Sequence, residues 1–338
     1  RIFVDTPLYF MLPDGKDSFE SLPIAWHFCL PFFGAIAIGI VFHFLKPQDR
    51  AVSVSHVLDR LHHHQGQMPL RNVLVQFFGG AASLITGQSV GREGPAVHLG
   101  AGVASLLGQW LQLPNNSLRT LVGCGVAAAI SASFNTPIAG VIFAMEVVLM
   151  EYTITGFIPV ILASASGAVI SQLAFGASAS FSVNAVDMKS LWELPYMAFA
   201  GVVIAIFAAG FLKLQLLVNR GRALPVIFRF AIIGFATGTL ALFAPQILGL
   251  GYDTLSSAML GEISLRILIV VVIAKLTATA ISTGLGIPGG LIGPSLVVGG
   301  CLGGILGILG NFLNPEQASN PGFYVTLGMA AMMGAVLN

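Results

Sequence analysis

The chain has 338 residues, 56% of them hydrophobic and only 9% charged. Soluble domains average about 25% charged residues, so an ordinary soluble protein is excluded, and a mean hydropathy of +0.89 points to a polytopic membrane protein. A net charge of +1 says nothing about nucleic acid and no basic stripe exists, so nucleic acid is not an expected partner, and any affinity for anions must come from local backbone dipoles.

Taken in chain order, apolar stretches fall at 23–45, 73–86, 95–112, 119–134, 137–150, 154–175, 195–218, 224–249, 264–281, 287–313 and 322–338. Runs such as Ile267–Ile273 are apolar on both parities. A lipid-facing β-barrel strand would alternate, so the expected fold is an all-α polytopic membrane protein. A perpendicular crossing takes about 20 residues; the stretches 23–45, 154–175, 195–218 and 224–249 satisfy that. The stretches 73–86, 119–134 and 137–150 are shorter and broken by Gly, Pro or Asn, and the chain holds 40 glycines and 17 prolines. Short, interrupted helices meeting near the bilayer midplane are the signature of transporters built from internal repeats.

The loops give an orientation. Residues 46–72 carry Lys46, Arg50, Arg60 and Arg71, and 219–223 carries Arg220 and Arg222. The stretch 11–22 holds Asp14, Asp17 and Glu20 against Lys16, and 252–263 holds Asp253 and Glu262 without a basic residue. The positive-inside rule places the basic loops in the cytoplasm, giving a multi-pass protein of the plasma (inner) membrane. Cys29, Cys124 and Cys301 lie in apolar segments without paired spacing and read as buried small hydrophobes. No cleavable signal sequence is visible. Arg1 in place of Met, and a stop at Asn338 within an apolar stretch, read as a fragment of a longer chain.

A repeat is visible by eye. Residues 87–95, GQSVGREGP, and 286–294, GIPGGLIGP, share Gly87/Gly286, Gly91/Gly290, Gly94/Gly293 and Pro95/Pro294 at an offset of 199 (286 minus 87), and Gly100 and Gly108 match Gly299 and Gly307 without a gap. Gly125–Asn135 resembles Gly328–Asn338 at an offset of 203. Two matches in the same order point to duplication, with a first half over 1–175 and a second over 176–338.

Within the first repeat, Glu93 stands in Gly-Arg-Glu-Gly-Pro at a predicted helix start. An ionisable residue at membrane depth is costly and marks a functional site by default. Pro95 suits the first turn of a helix, and a helix start offers unpaired N–H groups and a partial positive charge, an anion site. A carboxylate tethered beside such a site can occupy it, which is the design of a gate. The bland alternative is a buried acid satisfied by Arg92; Arg92 is expected instead to brace the loop by bonding carbonyls. In the second repeat Ile292 replaces Glu93, leaving only the backbone N–H groups around Gly290, Leu291 and Ile292. Neutral dipoles bind a halide without trapping it; a tight glycine crossing between helices is the alternative role for this loop.

Other features carry weaker readings. Glu146 lies near the end of a helix expected after Pro137, with Glu151 beyond it, and reads either as a proton relay or as a helix-end acid at the interface. Lys213 and Lys275 are expected to snorkel or pair. Gly87-Gln88-Ser89-Val90-Gly91 matches the G-x-S-x-G elbow of serine hydrolases, which requires a strand, a turn and a helix in an α/β sheet. Glycine density explains the match more simply, leaving an intramembrane serine hydrolase as a remote alternative. His62–His64 read as a solvated cluster rather than a metal site. A scaffold without transport leaves Glu93 unexplained.

GREGPAVHLG (91–100), FNTPIAGVIFAMEVV (134–148) and GIPGGLIGP (286–294) together resemble the signature segments of the CLC chloride channel and chloride/proton antiporter family, over essentially the whole chain. The resemblance implies a homodimer with one anion pathway per subunit, inverted repeats of tilted and discontinuous helices, and transport rather than catalysis. It further implies chloride as the transported ligand and no required cofactor. Glu93 matches the gating glutamate, and the backbone of Arg92, Glu93 and Gly94 and of Leu291 and Ile292 matches the segments lining the anion sites. Two departures follow from the same alignment. The family's Gly-Ser-Gly-Ile-Pro segment falls on Ala51–Ser55, so its anion-coordinating serine lands on Val52, with Ser53 or backbone N–H groups as substitutes. Antiporters place a proton-relay glutamate directly after the residue matching Glu146; here Val147 stands there, favouring channel-like passive conduction, with proton-coupled antiport as the alternative. The family's coordinating tyrosine lies beyond Asn338.

Overall fold

Thirteen α-helices run through the described residues of the computed structural model, which are 19–176, 188–313, 315 and 318–337. Asp14, Lys16, Asp17 and Asn338, used above for orientation and for the repeat, lie outside them. In chain order the helices are α1 (Ile24–Phe44), α2 (Ser53–His63), α3 (Leu70–Ile85), α4 (Glu93–Trp110), α5 (Asn115–Phe134), α6 (Pro137–Phe143), α7 (Ile154–Phe175), α8 (Leu194–Asn219), α9 (Val226–Phe243), α10 (Tyr252–Leu260), α11 (Leu265–Leu285), α12 (Ile292–Leu313) and α13 (Pro321–Leu337). A π-helical turn, Ala144–Leu149, continues α6. Seven of the helices are long and apolar enough to cross a membrane.

Each of the eleven apolar stretches contains a helix, because in hydrocarbon the backbone must satisfy its own hydrogen bonds. Two expectations are corrected. The loops at 46–72 and 252–263 contain α2 and α10, of 11 and 9 residues. Both are polar enough to escape a hydropathy scan, and both are too short to cross. The stretch at 287–313 turns helical only at Ile292, because residues 286–291 form the loop that delivers the chain to the midplane.

The repeat seen in the sequence is also a repeat of packing. Helix α4 crosses α5 where Gly100 faces the Gly125 carbonyl and Gly125 faces that of Gly100; α12 crosses α13 where Gly299 and Gly328 do the same. Small residues at such crossings let backbones approach, the main attraction available between helices in lipid. After α3 the chain reverses at Gly87 (φ +71), and after α11 at the equivalent Gly286 (φ +91). A residue with a Cβ is strained in that region, so the two turns share one chemical requirement.

The helices that follow these turns run in opposite directions. The inner end of α4 is tied to the basic loop, where Ser105 donates to the Gly66 carbonyl at 2.6 Å. The end of α12 meets the start of α8, where Tyr196 donates to the Leu306 carbonyl at 2.5 Å, and the other end of α8 leads to Arg220 and Arg222. The N-termini of α4 and α12 therefore approach each other from opposite sides. The main core gathers around them, including Val97, Ala101, Val126, Val297 and Val298, all nearly or fully buried.

Candidate anion site

The two helix tips touch through their loops. Gly91 donates to the Gly290 carbonyl at 2.8 Å, and Gly290 donates to the Gly91 carbonyl at 2.7 Å, a two-way antiparallel bridge between residues that the offset of 199 makes equivalent. Gly94 lies against the backbone of Gly289 and Gly290. One consequence bears on the expected donor set: the Gly290 N–H is spent on this bridge, so the second tip presents donors only from Leu291 onward. Leu291 is half-buried and Ile292 buried.

Glu93 is fully buried in this junction. Its side chain bends back from the start of α4 and places its carboxylate on the first turn of α12, where the Gly293 N–H donates to Oε2 at 3.1 Å. The first four N–H groups of a helix lack intrahelical partners, and the macrodipole adds partial positive charge there. Space for the carboxylate exists because glycines surround it. A Cβ on Gly293 would come within 3.2 Å of both carboxylate oxygens, one on Gly290 within 3.3 Å of Oε2, and one on Gly91 closer still.

Sequence reasoning missed the second partner. Tyr252, the first residue of α10, donates its hydroxyl to Glu93 Oε1 at 2.8 Å. The sequence did hold a signal: extending the offset of 199 backward from Gly91/Gly290 pairs Ser53, which opens α2, with Tyr252, which opens α10. The loop leading to Tyr252 is fixed from α11, where the fully buried Lys275 donates to the carbonyls of Ile247 and Gly249, both at 3.1 Å.

Arg92 braces the loop, as expected. Its guanidinium donates to the Ser133 carbonyl at 2.7 Å and lies 5.8 Å from the Phe134 ring centre and 5.4 Å from that of Tyr252, within cation–π range. The alternative of a Glu93 carboxylate neutralised by its neighbour is not what the geometry shows. Among the described residues no ion pair to the Glu93 carboxylate is formed.

Val52 and Ser53 are not brought to this junction as donors. Val52 packs into a cluster with Ile38, Phe42, Leu84, Val90 and Ile287. Ser53 has φ 74; its N–H is taken by Gln76 Oε1 at 2.7 Å and its hydroxyl lies 3.3 Å from that of Ser55. Glu146 is exposed on the π-helical turn beyond α6, and Val147 is half-buried beside it. Ser89 donates or accepts with Thr279 at 3.1 Å, and His98 pairs with His56 at 2.8 Å. With no strand–turn–helix around Ser89, the hydrolase alternative has no support.

Two opposed helix tips, each reached by a glycine turn and joined at the centre of a helical bundle, define a multi-pass membrane protein of the inverted-repeat transporter class. The sequence profile described as "Voltage gated chloride channel" matches residues 33–338, and the chain belongs to that family, the CLC family. A ClcB-like chloride channel protein of Ralstonia nicotianae is 30% identical over 94% of this chain and 75% of its own length. The H(+)/Cl(-) exchange transporter ClcA of Vibrio cholerae serotype O1 is 27% identical over 80% of this chain. The chain spans 61% of the length of that exchanger. Among solved structures, a slow cyanobacterial Cl-/H+ antiporter superposes with a TM-score of 0.76 over 90% of this chain and 73% of its own, at 23% identity. A CLC-type fluoride/proton antiporter gives 0.75 over 91% and 76%, at 24% identity; both likenesses concern the fold.

Proposed function

We propose that this chain carries chloride across the plasma (inner) membrane in exchange for protons, with Glu93 alternately filling and vacating the outer anion site. The observation that carries the reading is the seat of Glu93: a carboxylate held by a main-chain amide at the tip of α12, inside a cradle of glycines. The donors there are neutral, which suits a monovalent halide that must leave as readily as it enters. Arg92, Glu93 and Gly94 on one tip and Leu291, Ile292 and Gly293 on the other form the wall of that seat.

Coupling to protons is favoured over the passive conduction suggested by Val147, because several relatives are named as exchangers and the fold matches an antiporter. An apolar Val147 carries no proton, so the adjacent Glu146, open to its surroundings, is the candidate entry point on the inner side. Liposomes with the chain under a proton gradient decide the matter. Exchange moves the reversal potential away from the chloride value; a reversal potential that stays at the chloride value overturns coupling and restores the channel reading.

We further propose a homodimer composed of two halves per chain, as the family resemblance implies. Helix α7 offers an apolar stripe through Ile154, Ile158 and Leu162, each more than half exposed. Light scattering in mild detergent is expected to give the mass of two copies; a single copy overturns the assignment.

A further inference from the structure

The seat of Glu93 contains one side-chain donor, and the gate described above makes no use of it. The Tyr252 hydroxyl donates to Oε1 at 2.8 Å while the Gly293 amide donates to Oε2 at 3.1 Å, so the carboxylate is gripped at both oxygens from the second half of the chain. The tyrosine is rigidly mounted. It follows Gly251, whose φ of +76 turns the chain into α10, and a Cβ on that glycine would come within 2.9 Å of Lys275 Nζ. Lys275 in turn holds two carbonyls of the same loop, and the Arg92 guanidinium lies by the tyrosine ring.

A phenol that donates to a carboxylate makes a charge-assisted bond, about twice as strong as its neutral counterpart. Protonation of Glu93 removes the charge and with it most of that preference. We propose that Tyr252 is the latch of the gate, a positioning residue whose hydroxyl selectively stabilises the seated, charged Glu93 against displacement by chloride. The proposal rests on the gating role assigned to Glu93.

Chloride flux into liposomes, measured against chloride concentration at fixed pH, separates the latch from its premise. Tyr252→Phe keeps the ring and deletes the bond. Because seated Glu93 competes with chloride, the variant is expected to lower the apparent chloride KM about tenfold while maximal flux stays within about twofold. In a Glu93→Ala background the same substitution is expected to leave KM unchanged, since nothing remains to latch. An unchanged KM in the single variant overturns the latch, and so does an equal shift with and without Glu93, which assigns Tyr252 to chloride itself or to the fold. A Glu93→Ala chain whose KM and pH dependence match those of the parent sinks the gate, whatever Tyr252 does. Should the phenylalanine variant fail to assemble, Tyr252→Met removes the same hydroxyl and is read on the same scale.

Discussion

Glu93→Gln is expected to flatten the pH dependence of chloride flux and to abolish proton movement. If Glu93 gates as proposed, flux in the parent chain is expected to rise as pH falls, because a proton on the carboxylate weakens the hold of the α12 tip and of Tyr252 on it. A single titrating acid changes the open fraction by up to about tenfold per pH unit. Glutamine has the same size and no charge; its carbonyl oxygen still accepts from the Gly293 N–H that now donates to Oε2, but without the charge assistance that holds the carboxylate. The weaker hold, the same at every pH, leaves the seat open to chloride, and the variant is expected to conduct near the acid plateau of the parent, flat within about twofold. Chloride efflux from liposomes across the acidic and neutral range, with a pH electrode following protons, is the measurement. Flux that keeps the parent's pH profile removes Glu93 from the gate.

Gly94→Ala is expected to be strongly damaging at the junction of the two tips. The added Cβ would lie 2.5 Å from the Gly289 carbonyl oxygen, 2.8 Å from its carbon and 2.9 Å from Gly290 Cα. All three are backbone atoms and none can rotate away. The tips must separate, and the paired bonds between Gly91 and Gly290 go with them. Overpacking of this kind costs about 2–3 kcal/mol, expected as a lowered Tm in detergent together with at least a tenfold loss of chloride flux. Gly201→Ala in α8, where nothing lies within 4 Å of the added carbon, is the matched control and is expected to be neutral or slightly stabilising. A Gly94→Ala chain with parental Tm and flux contradicts the close approach of the tips.

Much of this arrangement was legible before any coordinates. Hydropathy located α1, α7 and α8 almost to the residue, because long apolar runs leave the backbone no alternative to a helix. The offset of 199 found Gly91 and Gly290, which bond each other, and Gly100 and Gly299, while the offset of 203 found Gly125 and Gly328, their partners at the two helix crossings. Glu93 stood out because charge is expensive in lipid. The polar helices α2 and α10 were not legible: a helix of about ten residues with hydroxyls and acids has no hydropathy signal, and its stability comes from packing against α4 or α12. Tyr252 was lost with α10. So was the pairing of Ser53 with Gln76, a contact across 23 residues that no local pattern announces. The lean toward passive conduction rested on one residue, Val147, whose apolar character blocks one proton route and leaves others open.

The two-way bond between Gly91 and Gly290 limits how this machine is able to move. Many carriers rock one half of the molecule against the other around a stationary cargo. Here the halves are stapled beside the proposed anion seat, so any motion that parts the two tips would have to break both bonds. The economical motion is the swing of a single acidic arm about its own rotatable bonds. For such a device, stiffening the scaffold away from that arm is expected to leave its speed intact.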